Sequence, residues 1–326
     1  MIKPISIVAL DIGSYSAKCA EVVHTKEGLT LAAAAVVPFT NSSDEAAASA
    51  VKAALGRTSG GRVRISVSGP PTLIRRLKLP RMTPGELKGA IRFEAESQIP
   101  FPIDDCILDF QILLDRPAEK TMEVLLVAVK KDFVKDRLKL FSAIDVRPEA
   151  IDADILCLMN AFEKFPATSE TTYALLDIGH RHCTFAVVQG GLPFLVRDII
   201  AGASAITKAF AEARGISEDE ASVARAKGTA EEIKAAVQKG YETLAEEVKY
   251  SIDYFDNQAS EELKGLYLSG GGAMPAGVCD FLTAELGLPC ALWNVSSKLA
   301  VEPAAAETAK DHGPELNAAI GMALPV

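Results

Sequence analysis

No stretch of this 326-residue chain stays apolar long enough to cross a bilayer. The longest weakly polar run, Leu29 to Pro38, falls well short of the ~20 residues a spanning helix needs, and Pro38 closes it. The N-terminus, Met1-Ile2-Lys3-Pro4-Ile5, lacks a long apolar region followed by a small-residue cleavage site and leads straight into a strand-like run, so the expectation is a cytoplasmic protein. A basic excess is missing too. Lys and Arg number 34 against 43 Asp and Glu, a formal charge of −9 that opposes a diffuse nucleic-acid footprint, although the pair Arg75-Arg76 forms a local basic patch. The six cysteines, at 19, 106, 157, 183, 279 and 290, include no Cys-x-x-Cys pair and have no histidine at zinc-ligand spacing; they read as reduced core thiols. Long polar or Pro-rich tracts, the mark of a disordered tail, are also lacking, and the Ala-rich segment from Glu302 to Lys310 reads as a loop.

What is there is apolar and repetitive. With 49% hydrophobic residues, the chain exceeds the ~100–150 residues of a single domain, so two substantial domains are expected. Residues 5 to 10 read as a strand that runs into Asp11-Ile12-Gly13-Ser14-Tyr15-Ser16, followed by strands at 17–23 and 29–37. The pattern returns at 172–199: a strand to Leu176, the turn Asp177-Ile178-Gly179-His180-Arg181-His182, a strand at 183–188, the Gly190-Gly191 turn and a strand at 192–199. Two copies in matching contexts predict a duplicated α/β architecture.

Between the copies, Asp44 to Leu55 reads as a helix and Arg62 to Ser68 as a half-buried strand. Thr83-Pro84-Gly85-Glu86 has capping-box form with Pro at the first helical position, and Leu87, Ala90, Ile91 and Ala95 then make an apolar stripe. Strands at 107–114 and 123–129 and a helix bearing Val134, Leu138 and Phe141 complete a helix, strand, strand, helix insert over 84–145. In the second half, Ser217 with Glu220 and Thr229 with Glu232 repeat the capping-box spacing, and an amphipathic stretch carries Ile233, Val237, Tyr241, Leu244, Val248, Ile252 and Phe255, with Gly240 as a break.

An Asp-x-Gly turn between strands gathers backbone N–H groups where they can hold a phosphate. Its Asp can anchor a hydrated magnesium ion, Gly13 lets the backbone approach, Ser14 and Ser16 can donate hydrogen bonds, and Lys18 can neutralise charge. One such turn equally suits a plain hairpin; a matched pair points to phosphate. A third signal is Leu266-Tyr267-Leu268-Ser269 running into Gly270-Gly271-Gly272, where glycine would let the chain pass beneath a purine and its ribose. His180 and His182 alternate along a strand but have no third ligand nearby to make a metal site. Ala318 to Leu324 reads as a helix with small residues on one side, suited to close packing against the connection between the halves.

Together the paired Asp-Ile-Gly turns, the Ser-Gly-Gly-Gly segment and the Ala-Ile-Gly-Met-Ala end resemble the actin-like ATPase superfamily across nearly the whole chain. Within it, Ser68-Gly69-Pro70-Pro71, Leu79-Pro80, Glu86-Leu87 and Phe93 to Pro102 resemble the insert of the PilM family, whose architectural relative is the division protein FtsA. The resemblance implies duplicated actin-like (ribonuclease H-like) domains with a small FtsA-type α+β insert. A first subdomain is implied at 1–83 and 146–170, the insert at 84–145, a second subdomain at 171–210 and 265–326, and a helical nucleotide-capping subdomain at 211–264. ATP and magnesium are the implied cofactors. Asp11, Gly13, Ser14, Ser16 and Lys18 would form the first phosphate loop, and Asp177, Gly179, His180 and Arg181 the second, with Asp11 and Asp177 holding magnesium through water. Gly270, Gly271 and Gly272 would lie against adenosine. Where relatives carry Glu and then Lys in the ribose-contacting helix, this chain has Ser222 and Arg225. Asp152 stands where relatives orient the hydrolytic water, or it is a helix N-cap.

The implied function is an ATP-binding cytoplasmic scaffold of the type IV pilus inner-membrane complex, at most a slow ATPase. Its implied partners are the tail of a PilN-type membrane protein and other pilus assembly proteins, with self-association open. The membrane would be reached only through partners. Leu79, Pro80 and Phe93 are the residues placed at the peptide, Phe93 alternatively packing under Phe101-Pro102. Two other readings stay open: a small-molecule kinase on the same fold, which would need a carboxylate facing an acceptor pocket, and an FtsA-like filament former, whose C-terminal amphipathic helix does not follow Leu324-Pro325-Val326 here.

Overall fold

Two sheets with the same plan carry the chain. The computed structural model describes residues 4–39, 43–259 and 261–325. Met1 to Lys3, where the N-terminal reading starts, and the final Val326 lie outside the described residues. In the first half β1 (Ile5–Ile12), β2 (Ser16–His24) and β3 (Leu29–Pro38) form an antiparallel meander, and α1 (Asp44–Leu55) leads to β4 (Arg62–Val67), which pairs parallel to β1. An insert then holds β5 (Thr72–Pro80), α2 (Pro84–Glu96), β6 (Cys106–Arg116), β7 (Thr121–Lys130) and α3 (Lys131–Ser142). The chain returns through β8 (Ala150–Ala153), parallel to β4, into α4 (Asp154–Lys164).

The second half repeats this order. β9 (Thr172–Ile178), β10 (Cys183–Gln189) and β11 (Leu192–Ile199) form the meander, followed by α5 (Ser204–Arg214), α6 (Glu218–Ala224), α7 (Ala230–Gly240) and α8 (Glu242–Asp256). Then come β12 (Leu266–Ser269), parallel to β9, with α9 (Val278–Leu286), β13 (Cys290–Leu292), β14 (Ala300–Val301), α10 (Pro303–His312) and α11 (Asn317–Ala323). Strand order is β14-β3-β2-β1-β4-β8 in one sheet and β11-β10-β9-β12-β13 in the other.

Both sheets are covered on both faces, which is why β1 and β10 are apolar runs rather than alternating strands. One core lies between the sheets and includes Ala9, Val22, Leu158, Phe162, Leu175 and Ile320. Outer cores join the first sheet to α1 and α3 and the second to α5, α7, α8 and α9. Small residues set the spacing of the central layer: a Cβ on Gly321 of α11 would sit 2.0 Å from the carbonyl oxygen of Cys157 in α4. Gly321→Ala is therefore expected to cost at least the ~1–3 kcal/mol of core overpacking. It should be read as a lower denaturant midpoint with unchanged slope.

Several boundaries differ from the sequence reading. The insert's sheet, β5-β7-β6, begins at Thr72 rather than residue 84, because β5 pairs with β7 from Thr72↔Val129 to Pro80↔Thr121. At its other end, Leu140 and Phe141 of α3 belong to the first-half core. Residue 210 falls inside α5, and the helices that follow share one core with the second sheet, so 211–264 is not packed as a separate unit. The segment 300–324, assigned to the second half, returns to the first: β14 pairs with β3, His24 contacts the Ala323 carbonyl oxygen, and Arg64 donates to those of Met322 and Leu324. Its Ala-rich part is the helix α10, opened by Pro303 at the first turn and seated through Ala305 and Ala309. The capping boxes at Thr83, Ser217 and Thr229 are all formed.

Candidate functional site

The same hydrogen bond closes both Asp-Ile-Gly turns. Gly13 N–H donates to the Ser16 carbonyl at 3.0 Å, and Gly179 N–H to the His182 carbonyl at 3.1 Å. In each meander the Asp lies at the end of the first strand opposite a residue of the second, Asp11 across from Lys18 and Asp177 across from Thr184. The two turns open onto one cleft of about 750 Å3 between the halves. Asp11, Gly13, Ser14, Ser16 and Lys18 line one wall, and Asp177, Gly179, His180 and Arg181 face them. Tyr15 and His180 bridge the turns with ring centroids 4.9 Å apart.

Gly271 and Gly272 reach the cleft, while Gly270 shapes the approach. With φ at +84° and Ile178's carbonyl oxygen 2.5 Å from where a Cβ would stand, Gly270 is a position only glycine fits. The Tyr241 hydroxyl donates to the Gly272 carbonyl and fixes the next step of the chain. Asn317, fully buried, ties this corner to the C-terminal segment: its amide donates to Ser269 Oγ and the Trp293 carbonyl, and its oxygen accepts from Val295 N–H. From α6 and the residues after it, Ser222 and Arg225 line the opposite side.

Asp152 is not on the wall. It lies half-buried in β8, and its carboxylate accepts from the N–H of Ala153. Two residues on, Asp154 opens α4, is 9% exposed and does line the cleft, with Oδ1 lacking a hydrogen-bond partner among the described residues. The sequence holds both aspartates in Asp152-Ala153-Asp154, and only the strand-to-helix junction decides between them. Burial, then the negative charge of Asp11, pushes the Asp154 carboxyl up to about 7 against the opposing Ser66 and Ser68 hydroxyls. Burial and Asp11 likewise raise Asp177, against Lys18, Ser269 and His182. Burial alone would lower the Lys18 ammonium, but Asp11, 3.0 Å away, wins through charge and hydrogen bond and holds it above its usual value. His180 is lowered by burial and then by the charges of Arg181 and Arg225.

Asp11, Asp154 and Asp177 together suit a polyphosphate carried by a hydrated divalent cation, and Lys18, Arg181 and Arg225 on the same cleft can meet its remaining charge. The donor set is all oxygen and includes Asp154 Oδ1, which like the buried Arg225 Nη1 has no partner among the described residues. Among the described residues no three His, Cys, Asp or Glu side chains stand close enough to ligate a metal directly, so these residues fit a nucleotide whose magnesium is held through water.

A second cavity of about 290 Å3 lies where β4, the insert and β11 converge, lined by apolar Leu73, Phe101, Ile155, Val196 and Ile200 with Arg75 and Asp198. It shares Ser68, Asp154 and Thr184 with the cleft. The residues expected at a partner peptide lie elsewhere. Leu79 is 5% exposed in the insert's core under α2, so a peptide cannot reach it, Pro80 is exposed at the strand end, and Phe93 is 76% exposed without packing under Phe101-Pro102. All three are absent from the cavity lining, because β5 turns Leu79 inward and α2 buries Leu87, Ile91 and Ala95 instead of Phe93. Among the described residues, no helix is long and apolar enough to cross a membrane.

Comparison with known proteins agrees with this architecture. The family model for type IV pilus assembly protein PilM matches residues 9–325. Among solved structures, a chain of a PilM-PilN type IV pilus biogenesis complex superimposes with a TM-score of 0.84 at 26% identity, covering 97% of each chain. The ethanolamine utilization protein EutJ from Carboxydothermus hydrogenoformans shares the fold, with a TM-score of 0.56 at 15% identity over 99% of this chain and 90% of that one. The fold is a duplicated α/β arrangement, shared with these two structures. With a family model spanning nearly its whole length, the chain belongs to the PilM family of type IV pilus assembly proteins.

Proposed function

We propose that this chain holds magnesium ATP in the cleft and, so closed, acts as a cytoplasmic scaffold that binds the N-terminal tail of a PilN-type inner-membrane protein. The observation that carries the reading is the pair of identically closed Asp-Ile-Gly turns facing each other across one acidic cleft. In it, Asp11 and Asp177 would hold magnesium through water, Lys18 and the two turns the phosphates, and the glycine segment the adenosine. Asp154 replaces Asp152 as the carboxylate placed to orient water. Turnover would be slow, since binding fixes a conformation rather than serving catalysis.

The tail would sit in the second cavity, where its apolar side chains meet Leu73, Phe101 and Val196. The relative solved as part of a PilM-PilN complex supports this partner. Ile200, 83% exposed at the cavity rim, is an apolar side chain available to a bound tail. Contact with such a tail would keep the chain peripheral at the inner membrane. Calorimetric titration with the cognate tail peptide tests it: Ile200→Glu should weaken binding by roughly tenfold or more, as losing an interface anchor does, and Phe93→Ala should leave it unchanged. Equal affinity for wild type and Ile200→Glu would contradict the placement.

A further inference from the structure

Beside the first phosphate loop stands Arg137 of α3, which is not among the residues that line the cleft. Its Nη2 donates to the carbonyl oxygen of Ile12 at 2.8 Å, its guanidinium lies over the Phe133 ring at 5.2 Å, and its Nε has no partner among the described residues. The peptide joining Ile12 to Gly13 is thus held at both ends: its C=O by Arg137 and its N–H by the Ser16 carbonyl. A peptide plane pinned in this way cannot rotate, and the orientation of the loop's N–H groups follows from it. A charged donor also makes this the stronger kind of hydrogen bond.

The origin of Arg137 matters as much as its contact. α3 follows β7, the central strand of the insert's sheet, without an intervening residue. Val134 of α3 packs with Val129 of β7 and Val67 of β4, and Leu140 and Phe141 enter the first-half core. A shift of the insert sheet therefore moves the helix that holds the loop.

Resting on the reading of the cleft as a nucleotide site, the geometry points to Arg137 as a positioning residue that sets the first phosphate loop from the insert side and so governs nucleotide affinity. It acts through the Ile12 carbonyl and touches no nucleotide. Arg137→Lys keeps a charged donor; Arg137→Met removes it, with Arg137→Gln in reserve should the Met protein fail to fold.

The test is magnesium ATP affinity by calorimetry, with the Gly13 amide resonance followed in 15N-glycine-labelled full-length protein. The expected result is a roughly tenfold weaker affinity for Arg137→Met, equivalent to ~1.4 kcal/mol, and at least partial recovery in Arg137→Lys. The Gly13 resonance should move in the Met variant and return toward the wild-type position in the Lys variant, which a general loss of packing would not produce. Unchanged affinity in Arg137→Met, or a Gly13 resonance indifferent to it, overturns the inference. If wild type itself fails to bind magnesium ATP, the nucleotide reading falls, and the Gly13 resonance alone then decides whether Arg137 holds the loop.

Discussion

Asp154→Asn is expected to yield a protein that is more stable at pH 8 and less responsive to magnesium ATP. The carboxyl has an ordinary value of 3.8 and is pushed to about 7 in the fold. Between those values the unfolded chain has lost the proton while the folded chain keeps it, so every step up in pH favours unfolding. Wild-type stability attributable to this group is intact below about pH 4, falls as pH rises to about 7, and changes little beyond. Asparagine never ionises. The variant should match wild type near pH 4 and exceed it at pH 8 by about 2–4 kcal/mol, a rise in Tm on the order of 5 °C for a chain of this size. Magnesium ATP should raise its Tm less than it raises that of wild type, because an amide holds a hydrated cation less well than a carboxylate. Parallel thermal scans at pH 4.5 and pH 8 check both halves. A variant that is no more stable than wild type at pH 8 would show that Asp154 is ionised there at no cost.

Asp11→Ala should have the opposite effect on stability. Asp11 and Lys18 are 3.0 Å apart, with side chains only 11% and 15% exposed. Removing the carboxylate leaves the buried ammonium without its hydrogen-bonded partner, with Glu315 and Asp154 as the remaining nearby carboxyls, a loss of up to roughly 3–5 kcal/mol where a buried pair is broken. Replacing Lys18 by Met in the same chain should return most of that stability, since the uncompensated charge is gone. It should not restore nucleotide binding, because the double variant lacks both the carboxylate for the cation and the ammonium for the phosphates. Denaturant melts of the single and double variants, with nucleotide titrations alongside, separate the structural role of the pair from its role in binding. Recovery of nucleotide affinity in the double variant would place the phosphates elsewhere.

Local features of this molecule were readable before its structure. Each Asp-Ile-Gly turn is made by neighbouring residues, so its duplication shows in the chain, and three capping boxes declare helix starts by the same logic. What escaped depends on contacts between distant segments. β5 is disguised by Arg75-Arg76, which break its alternation. Arg75 donates to the Val196 carbonyl of β11, while Arg76 pairs with Glu123 of β7 and reaches the Pro193 carbonyl beside it. The return of the C-terminal segment to the first half rests on a two-residue strand pairing, Ala300↔Thr30 and Val301↔Leu31, on contacts of His24 and Arg64 with its carbonyl oxygens, and on alanines and glycine that fit a gap between sheets. Asp154 could not be preferred to Asp152 from spacing, since burial and the approach of Asp11 single it out. Phe93, which the resemblance places at the peptide, lies exposed on α2 and outside the cavity between β4, the insert and β11, a placement set by which face of α2 is buried.

The central claim, one magnesium-dependent nucleotide site formed by both turns, is tested most directly by calorimetric titration of the full chain with ATP, with and without magnesium. The account predicts binding at a stoichiometry of one in the presence of magnesium, and a loss of affinity of at least tenfold when the cation is chelated, because the aspartates that line the cleft then face the phosphates unscreened. No heat of binding at millimolar magnesium ATP, or equal affinity with and without the cation, would contradict it.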